Sequence, residues 1–262
     1  MVNTLDGKTA VVTGSSSGIG NAIAREFASR GANVVVNSRS EERAAEAAEE
    51  IADETDAEAE SLLAIEADVT DGDSLESLVE RTVEEFGSLD VWVNNAGINI
   101  RGPAEEMAME DWQKVIDVNL TAPFRGAQLA GRQMIEQGTG GAIINISSMM
   151  GEQGQTGRTP YNTSKGGVNN LTRCLAVEWA EHDILVNAIS PGYIRTEMVG
   201  DAQDQIGFDE DDVIDRTPVG RFGTPEEVAN CAAFLAEGEH FMTGEILHPD
   251  GGWLSFGWGS KS

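Results

Sequence analysis

Tyr161 and Lys165 stand four residues apart in Tyr161-Asn-Thr-Ser-Lys165, a spacing that puts both side chains on one face of a helix. A phenol keeps its proton to about pH 10 and becomes a useful general base near neutrality only where a cation stabilises the phenolate. Lys165 is spaced to supply that charge. Such a pair is equally at home on a solvated helix face, so its meaning depends on the elements around it.

Lys8 to Thr13 reads as a short buried strand, followed at once by the turn Gly14-Ser-Ser-Ser-Gly18-Ile-Gly20. Ile19 to Arg30 then has helical periodicity, with Ile23, Ala24 and Phe27 on one face and Gly31 closing it. Glycines in a strand–turn–helix let backbone amides approach a pyrophosphate at the positive end of the helix and let that helix pack close to the strand. Asn33 to Asn37 is the next strand, and Ser38 and Arg39 lie just beyond it. An acid at this place would bind the ribose 2′-hydroxyl of NAD. A hydroxyl and a guanidinium instead suit a 2′-phosphate, which predicts NADP over NAD. After the acidic helix Glu41 to Glu54 and the strand Leu62 to Ile65 come Asp68 and Val69, where Asp68 reads either as an acceptor for the adenine amino group or as a helix cap beside Thr70-Asp71.

A helix from about Ser74 to Phe86 leads to the strand Asp90 to Asn94, which ends in Asn94-Asn95-Ala96-Gly97. Small polar residues at a strand's carboxyl end sit where ligands bind in open α/β sheets. Asn119 falls inside the helical stretch Trp112 to Ala130, an interior position that asparagine tolerates poorly and can bend. Gly141 to Ile146 is a strand ending at Ser147-Ser148, and Tyr161 follows thirteen residues after Ser148, opening a helix that runs to about Glu181. Ile184 to Ile189 leads into Ser190-Pro191-Gly192-Tyr193, and Gly244 to His248 is a last strand. Thr224-Pro225-Glu226-Glu227 reads as a helix start. The alternation predicts a single Rossmann-type α/β domain over 1–262: a doubly wound, mainly parallel sheet of about seven strands with helices on both faces. An acidic insertion at about 196–219 would lie over the mouth of the site, as a mobile lid or a solvated excursion.

The chain has 45 acidic and 17 basic residues, a net charge of −28, and four lysines: Lys8, Lys114, Lys165 and Lys261. At molar salt the Debye length falls to about 3 Å and most of the self-repulsion of such a surface disappears. The expectation is a host with a salt-rich cytoplasm, and nucleic acid and anionic membranes are poor partners. No long apolar run or export-type leader is seen, which predicts a soluble cytoplasmic protein. Cys174 and Cys231 lie in apolar helical segments and read as buried free thiols. Three scattered histidines (His182, His240, His248) offer no metal site and no Gly-Lys-Ser/Thr turn supports phosphoryl transfer.

Taken together, Thr13-Gly14-x-x-x-Gly18-x-Gly20, Asn94-Asn95-Ala96-Gly97, Asn119, Ser148, Tyr161-x-x-x-Lys165 and Pro191-Gly192 resemble the short-chain dehydrogenase/reductase family over nearly the whole chain. The resemblance implies that Tyr161 exchanges the hydroxyl proton, that Lys165 lowers the tyrosine pKa and holds the nicotinamide ribose, and that Ser148, rather than Ser147, orients the substrate oxygen. Asn119 matches the helix-kinking residue whose backbone anchors the water of a proton relay. The implied cofactor set is Gly14, Ser16, Ser17, Gly18, Ile19, Gly20, Ser38, Arg39, Asp68, Val69, Asn95, Ala96, Gly97, Tyr161, Lys165, Pro191, Gly192, Ile194 and Thr196, with Thr196 on the carboxamide. The family's habit of assembling through paired long helices and the last strand implies a homotetramer, to which an aromatic tail, Trp253 to Trp258, would add apolar surface.

Within the family, Asn95 to Arg101, Ile144 to Met149, Thr159 to Tyr161 and Arg216 to Pro218 most resemble gluconate 5-dehydrogenase and its sugar-acid relatives. The expected substrate is therefore a sugar or sugar acid, with Arg101, Glu152, Arg158 and Tyr193 joining Ser148 as candidate contacts and Arg101 as the carboxylate ligand. Two rivals stand beside this reading. A 3-oxoacyl-[acyl-carrier-protein] reductase would need basic docking residues where this chain has Thr139 and His182. A non-catalytic dinucleotide-binding regulator would be expected to have lost one of Asn119, Ser148, Tyr161 or Lys165.

Overall fold

The computed structural model describes residues 4–196 and 209–257. Seven parallel strands run in the order β3-β2-β1-β4-β5-β6-β7: β1 Thr9–Val12, β2 Asn33–Ser38, β3 Leu62–Glu66, β4 Val91–Asn94, β5 Gly141–Ile146, β6 Ile184–Ile189 and β7 Ile246–Leu247. Each of β1, β2, β4, β5 and β6 is buried almost throughout, as befits strands covered on both faces. The order reverses between β1 and β4, and that switch point is where a crevice opens at the strands' carboxyl ends.

The helices are α1 Gly18–Ser29, α2 Glu41–Glu54, α3 Gly72–Phe86, α4 Met109–Ile116, α5 Ala122–Gln137, α6 Thr159–Trp179, α7 Glu210–Arg216 and α8 Pro225–Glu237. On one side of the sheet Phe27 and Ile23 of α1, Ile51 of α2 and Val228 and Leu235 of α8 pack on Val12, Val34 and Ile144. On the other, Leu78 of α3, Met134 of α5 and Leu175 of α6 pack on Val11, Trp92 and Val186. Trp92 is fully buried, and a side chain on Gly126 would come within 2.8 Å of its ring, so α5 can approach β4 only through a glycine.

A buried amide chain fixes the helices that carry the chemistry. Trp92 Nε1 donates to Asn94 Oδ1 at 2.7 Å, Asn94 Nδ2 to Asn145 Oδ1 at 2.9 Å, and Asn145 Nδ2 to Thr172 Oγ1 of α6 at 2.9 Å. Each buried donor is matched to an acceptor, which sets α6 against β5 in one register.

Two expectations change. Cys174 is exposed because the inward stripe of α6 is carried by Thr172, Leu175 and Ala176, and Cys231 is only half-buried because that of α8 is carried by Val228, Ala229, Ala232 and Ala233. The described part of the aromatic tail turns back on its own chain: Trp253 lies 4.9 Å from Tyr193, and Arg216 stacks over both Trp253 and Phe256 at 4.9 Å. Residues 197–208 of the expected lid, and Trp258, lie outside the described residues. Among the described residues no helix is long and apolar enough to cross a membrane.

Candidate active site

The cleft at the strand ends has a volume of about 1240 Å³. At one end, the loop after β1 is locked to the segment after β4. Thr13 Oγ1 donates to Val93 O at 3.1 Å and accepts from Asn95 N and Ala96 N, while Asn95 Nδ2 donates to Thr13 O and Gly14 O. Gly14 and Gly18 have φ of 62° and 59°, the left-handed region open to glycine. A Cβ on Gly20 would sit 2.3 Å from Asn95 Nδ2 and 2.6 Å from Gly14 O, so only glycine lets α1 begin here.

The start of α1 contrasts with those of α2, α3 and α8. Ser40, Asp71 and Thr224 cap α2, α3 and α8 with their side chains, and acids follow in each first turn. Ser17 makes no side-chain cap bond, and no acid lies in the first turn of α1. Its backbone amides and positive dipole end are left for an outside anion, and Gly14, Ser16, Ser17, Gly18, Ile19 and Gly20 line the cleft there. A dinucleotide pyrophosphate fits this cradle.

Ser38, Arg39, Asp68 and Val69 line the far end. Asp68 accepts from Thr70 N at 2.9 Å and Thr70 Oγ1 at 2.7 Å. Burial pushes its carboxyl up, but these two hydrogen bonds and the charge of Arg39 outweigh that and hold it below the usual range. The α3 cap is Asp71, so Asp68 is free to face the cleft. The lining residues missed in the sequence include Asn37 and Arg43. Asn37 holds the glycine loop through Gly14 N at 3.1 Å, and Arg43, in the first turn of α2, adds a second guanidinium. The place of Arg43 in the first turn of the helix after Ser38 and Arg39 was the available signal.

The reacting centre lies between. Tyr161 and Ser148 are hydrogen-bonded, and Ser148 Oγ also accepts from Met150 N at 3.2 Å. Ser147 instead donates to Lys165 O and serves the helix. Burial pushes the Tyr161 phenol above its ordinary value, against the opposing pull of Ser148, Arg158 and Arg101. Lys165 Nζ is 5.7 Å from the tyrosine ring centroid and donates to Ile146 O at 2.8 Å. Burial brings its pKa down to about 8. Asn119 sits in a π turn, Asp117–Thr121, between α4 and α5. Its amide clasps Ile98 through Oδ1 and Nδ2, both at 2.8 Å, and reaches Ser164 Oγ at 3.2 Å. A widened turn of this kind shifts the backbone carbonyls out of the α ladder.

Pro191, Gly192, Tyr193, Ile194 and Thr196 close the cleft from the loop after β6. Pro191 O accepts from Met149 N at 3.1 Å, and a Cβ on Gly192 would meet Asp250 Cα at 2.7 Å, so this loop is clamped between the serine turn and the end of β7. Arg101, Arg158, Tyr193 and Asn99 form the outer wall; Asn99 was not anticipated. Arg158 is only 9% exposed and its Nε has no partner, nor do Asn99 Oδ1 and Gln155 Oε1. Gln155 Nε2 donates to Tyr193 Oη at 3.3 Å. Glu152 is not brought to this wall: its carboxylate takes a 2.8 Å bond from Asn169 Nδ2 and lies 3.8 Å from His248.

The geometry performs an alcohol–carbonyl interconversion. A bound nicotinamide dinucleotide supplies a two-electron acceptor for the hydride of a carbinol carbon. Among the chain's own groups, Ser148 and Tyr161 line the cleft together, where a hydroxyl could hydrogen-bond a substrate oxygen and a phenol could take its proton.

A family model described as "Enoyl-(Acyl carrier protein) reductase" matches residues 14–254. Glucose 1-dehydrogenase 2 of Bacillus subtilis is 42% identical over 254 residues, 96% of each chain. A 3-oxoacyl-[acyl-carrier-protein] reductase of Staphylococcus aureus is 39% identical over 94% of this chain and 97% of its own. The crystal structure of a gluconate 5-dehydrogenase from Burkholderia cenocepacia, in complex with NADP and tartrate, is 37% identical, covers 96% of this chain and 97% of its own, and superposes with a TM-score of 0.89. With the fold, the glycine cradle and the serine–tyrosine–lysine group all in register, the chain is an oxidoreductase and belongs to the short-chain dehydrogenase/reductase family.

Proposed function

We propose that the chain oxidises a secondary alcohol of a sugar acid, or of the related sugar, with NADP preferred over NAD. The observation that carries this reading is the outer wall. Arg101 and Arg158 line the same cleft as Tyr161 and, among the described residues, neither is ion-paired. In the same lining, Asn99 Oδ1 is a buried acceptor without a donor. Cations without counter-ions suit a carboxylate, and an orphaned acceptor suits a hydroxyl, so a polyhydroxy acid satisfies both kinds of group at once. An acyl thioester satisfies neither, and Thr139 and His182 give an acidic carrier protein little to dock on. The NADP bound in the Burkholderia relative, together with Arg39 and Arg43 beside Ser38 and the lack of an acid at the end of β2, supports the cofactor preference.

The enzyme works, in this reading, as a homotetramer in a salt-rich cytoplasm. The net charge of −28 supports the second part. Phe124 and Ile135 of α5 with Val177 of α6, and Phe234 of α8 with Phe241, are exposed apolar groups that support the first. The test is oxidation of aldoses, aldonic acids and polyols in molar potassium chloride, with NADP and NAD side by side, and a solution mass in the same salt. Turnover of one aldonic acid with NADP is expected, with Arg101→Ala raising its KM by about 10- to 100-fold through loss of a charge-assisted contact. Silence on the panel with reduction of a 3-oxoacyl thioester would overturn the substrate, and a monomer mass the assembly.

A further inference from the structure

We propose that Asn37 is a positioning residue for the dinucleotide, a single buried amide that holds the glycine turn after β1 in register with the loop after β3. The residue is only 1% exposed. Its Oδ1 accepts from Gly14 N at 3.1 Å, and its Nδ2 donates to Ile65 O and Ala67 O, both at 3.2 Å. An amide N–H only donates and a carbonyl only accepts, so these partners fix which end of the side chain is oxygen. The main chain of the same residue holds the next position of the turn. Ser15 N donates to Asn37 O, and Asn37 N donates to Ser15 Oγ, each at 2.9 Å. Ala96 crowds Gly14 as well, since a Cβ placed there would lie 3.0 Å from its Cα, so the turn has little room to settle elsewhere.

The segments joined in this way are those that line the cofactor end. Asn37 runs into Ser38 and Arg39, Ala67 runs into Asp68 and Val69, and all four of those residues share the cleft with the glycine turn. The inference rests on the reading of this end as a dinucleotide site. A ligand that spans three backbone segments needs them at fixed distances from one another, and one side chain supplies that here. The task calls for one acceptor and two donors on a short side chain, which asparagine has; aspartate offers acceptors alone and serine is too short to reach both loops. Thr13 and Asn95 tie the same turn to the segment after β4, so it stays on the sheet without Asn37 and loses only its register with the β3 loop. The reacting centre is held by other bonds, Lys165 to Ile146 O and Asn119 to Ile98 O, both at 2.8 Å.

Asn37→Asp keeps the acceptor for Gly14 N and removes both donors, leaving two buried carbonyls against a carboxylate. NADP and NAD are titrated calorimetrically into the full chain in molar potassium chloride, with thermal unfolding followed by circular dichroism alongside. The dissociation constant should rise about 10- to 100-fold for each dinucleotide that the parent binds. Met134→Ala is the control. Met134 is fully buried and packs at Gly141, the first residue of β5, at the sheet's amino end. Its truncation should lower stability while the folded protein binds dinucleotide as the parent does. Unchanged dissociation constants in Asn37→Asp would overturn the proposal. Equal weakening in Met134→Ala would overturn it too, because affinity would then follow stability and not register. If Asn37→Asp does not fold, Asn37→Ser, uncharged and shorter, carries the same comparison. A parent that prefers NAD would correct the cofactor preference and leave the comparison intact, whereas a parent that binds neither dinucleotide would remove the site and the proposal together.

Discussion

The two ends of the cleft are built from different materials. The cofactor end is made of backbone: strand termini, a loop whose glycines admit no Cβ, and a helix start left uncapped, all tied together by Thr13, Asn37 and Asn95. The substrate end is made of side chains on loops, Arg101, Asn99, Arg158 and Tyr193, with Asn99 Oδ1 and Arg158 Nε left unpartnered. Backbone geometry has few solutions for a pyrophosphate, so it repeats as a recognisable spacing. Side chains on loops can be exchanged one by one, so they tune specificity and leave no periodic trace.

The residue on the seam gives the largest expected effect. Tyr161→Phe removes the proposed proton acceptor and keeps the ring, so kcat should fall by about 10³-fold, within the span usual for a general base, while affinity for NADP and for substrate changes little. A loss of cofactor binding comparable to the loss of rate would mean that the two ends are not separable at Tyr161. Single-turnover rates alongside equilibrium cofactor titration decide it.

That separation explains what could be read in advance. The sheet, the helices and the glycine loop follow from periodicity and turn chemistry, and α2 and β5 fall where their patterns place them, Glu41–Glu54 and Gly141–Ile146. The choice of Ser148 over Ser147 came from the family resemblance, through its thirteen-residue spacing to Tyr161. What stayed hidden depends on contacts between distant segments. Glu152 looked like a neighbour of the substrate because it lies between Ser148 and Tyr161, yet Asn169, seventeen residues on, holds it elsewhere. Asn99 and Arg43 became lining residues through the path of a loop and the pitch of a helix. The exposure of Cys174 likewise turned on which stripe of α6 meets the sheet.

At the cofactor end, one added methyl group should be enough to do damage. Gly20→Ala would set its Cβ against Asn95 Nδ2 at 2.3 Å and Gly14 O at 2.6 Å, and Asn95 is itself held by two carbonyls. Overpacking of this kind costs about 1–3 kcal/mol. The loss should appear both in denaturant midpoint and in NADP affinity, since the same loop serves the fold and the ligand. Unchanged stability and affinity together would show that the loop yields easily, and the contrast between rigid backbone and adjustable side chains would weaken.

The smallest effect is the sharpest test of the substrate end, because stability and binding should move in opposite directions. Asn99 Oδ1 is buried without a donor, so the folded protein bears its desolvation cost whenever the site holds no ligand. Asn99→Ala removes that cost together with the acceptor. The free enzyme should be as stable as the parent or slightly more so, while loss of one hydrogen bond worth about 1 kcal/mol should raise the substrate KM roughly fivefold with kcat preserved. A substitution that lowers stability and leaves KM alone would make Asn99 a structural residue of the loop. The outer wall would then recognise its substrate through the two guanidiniums alone.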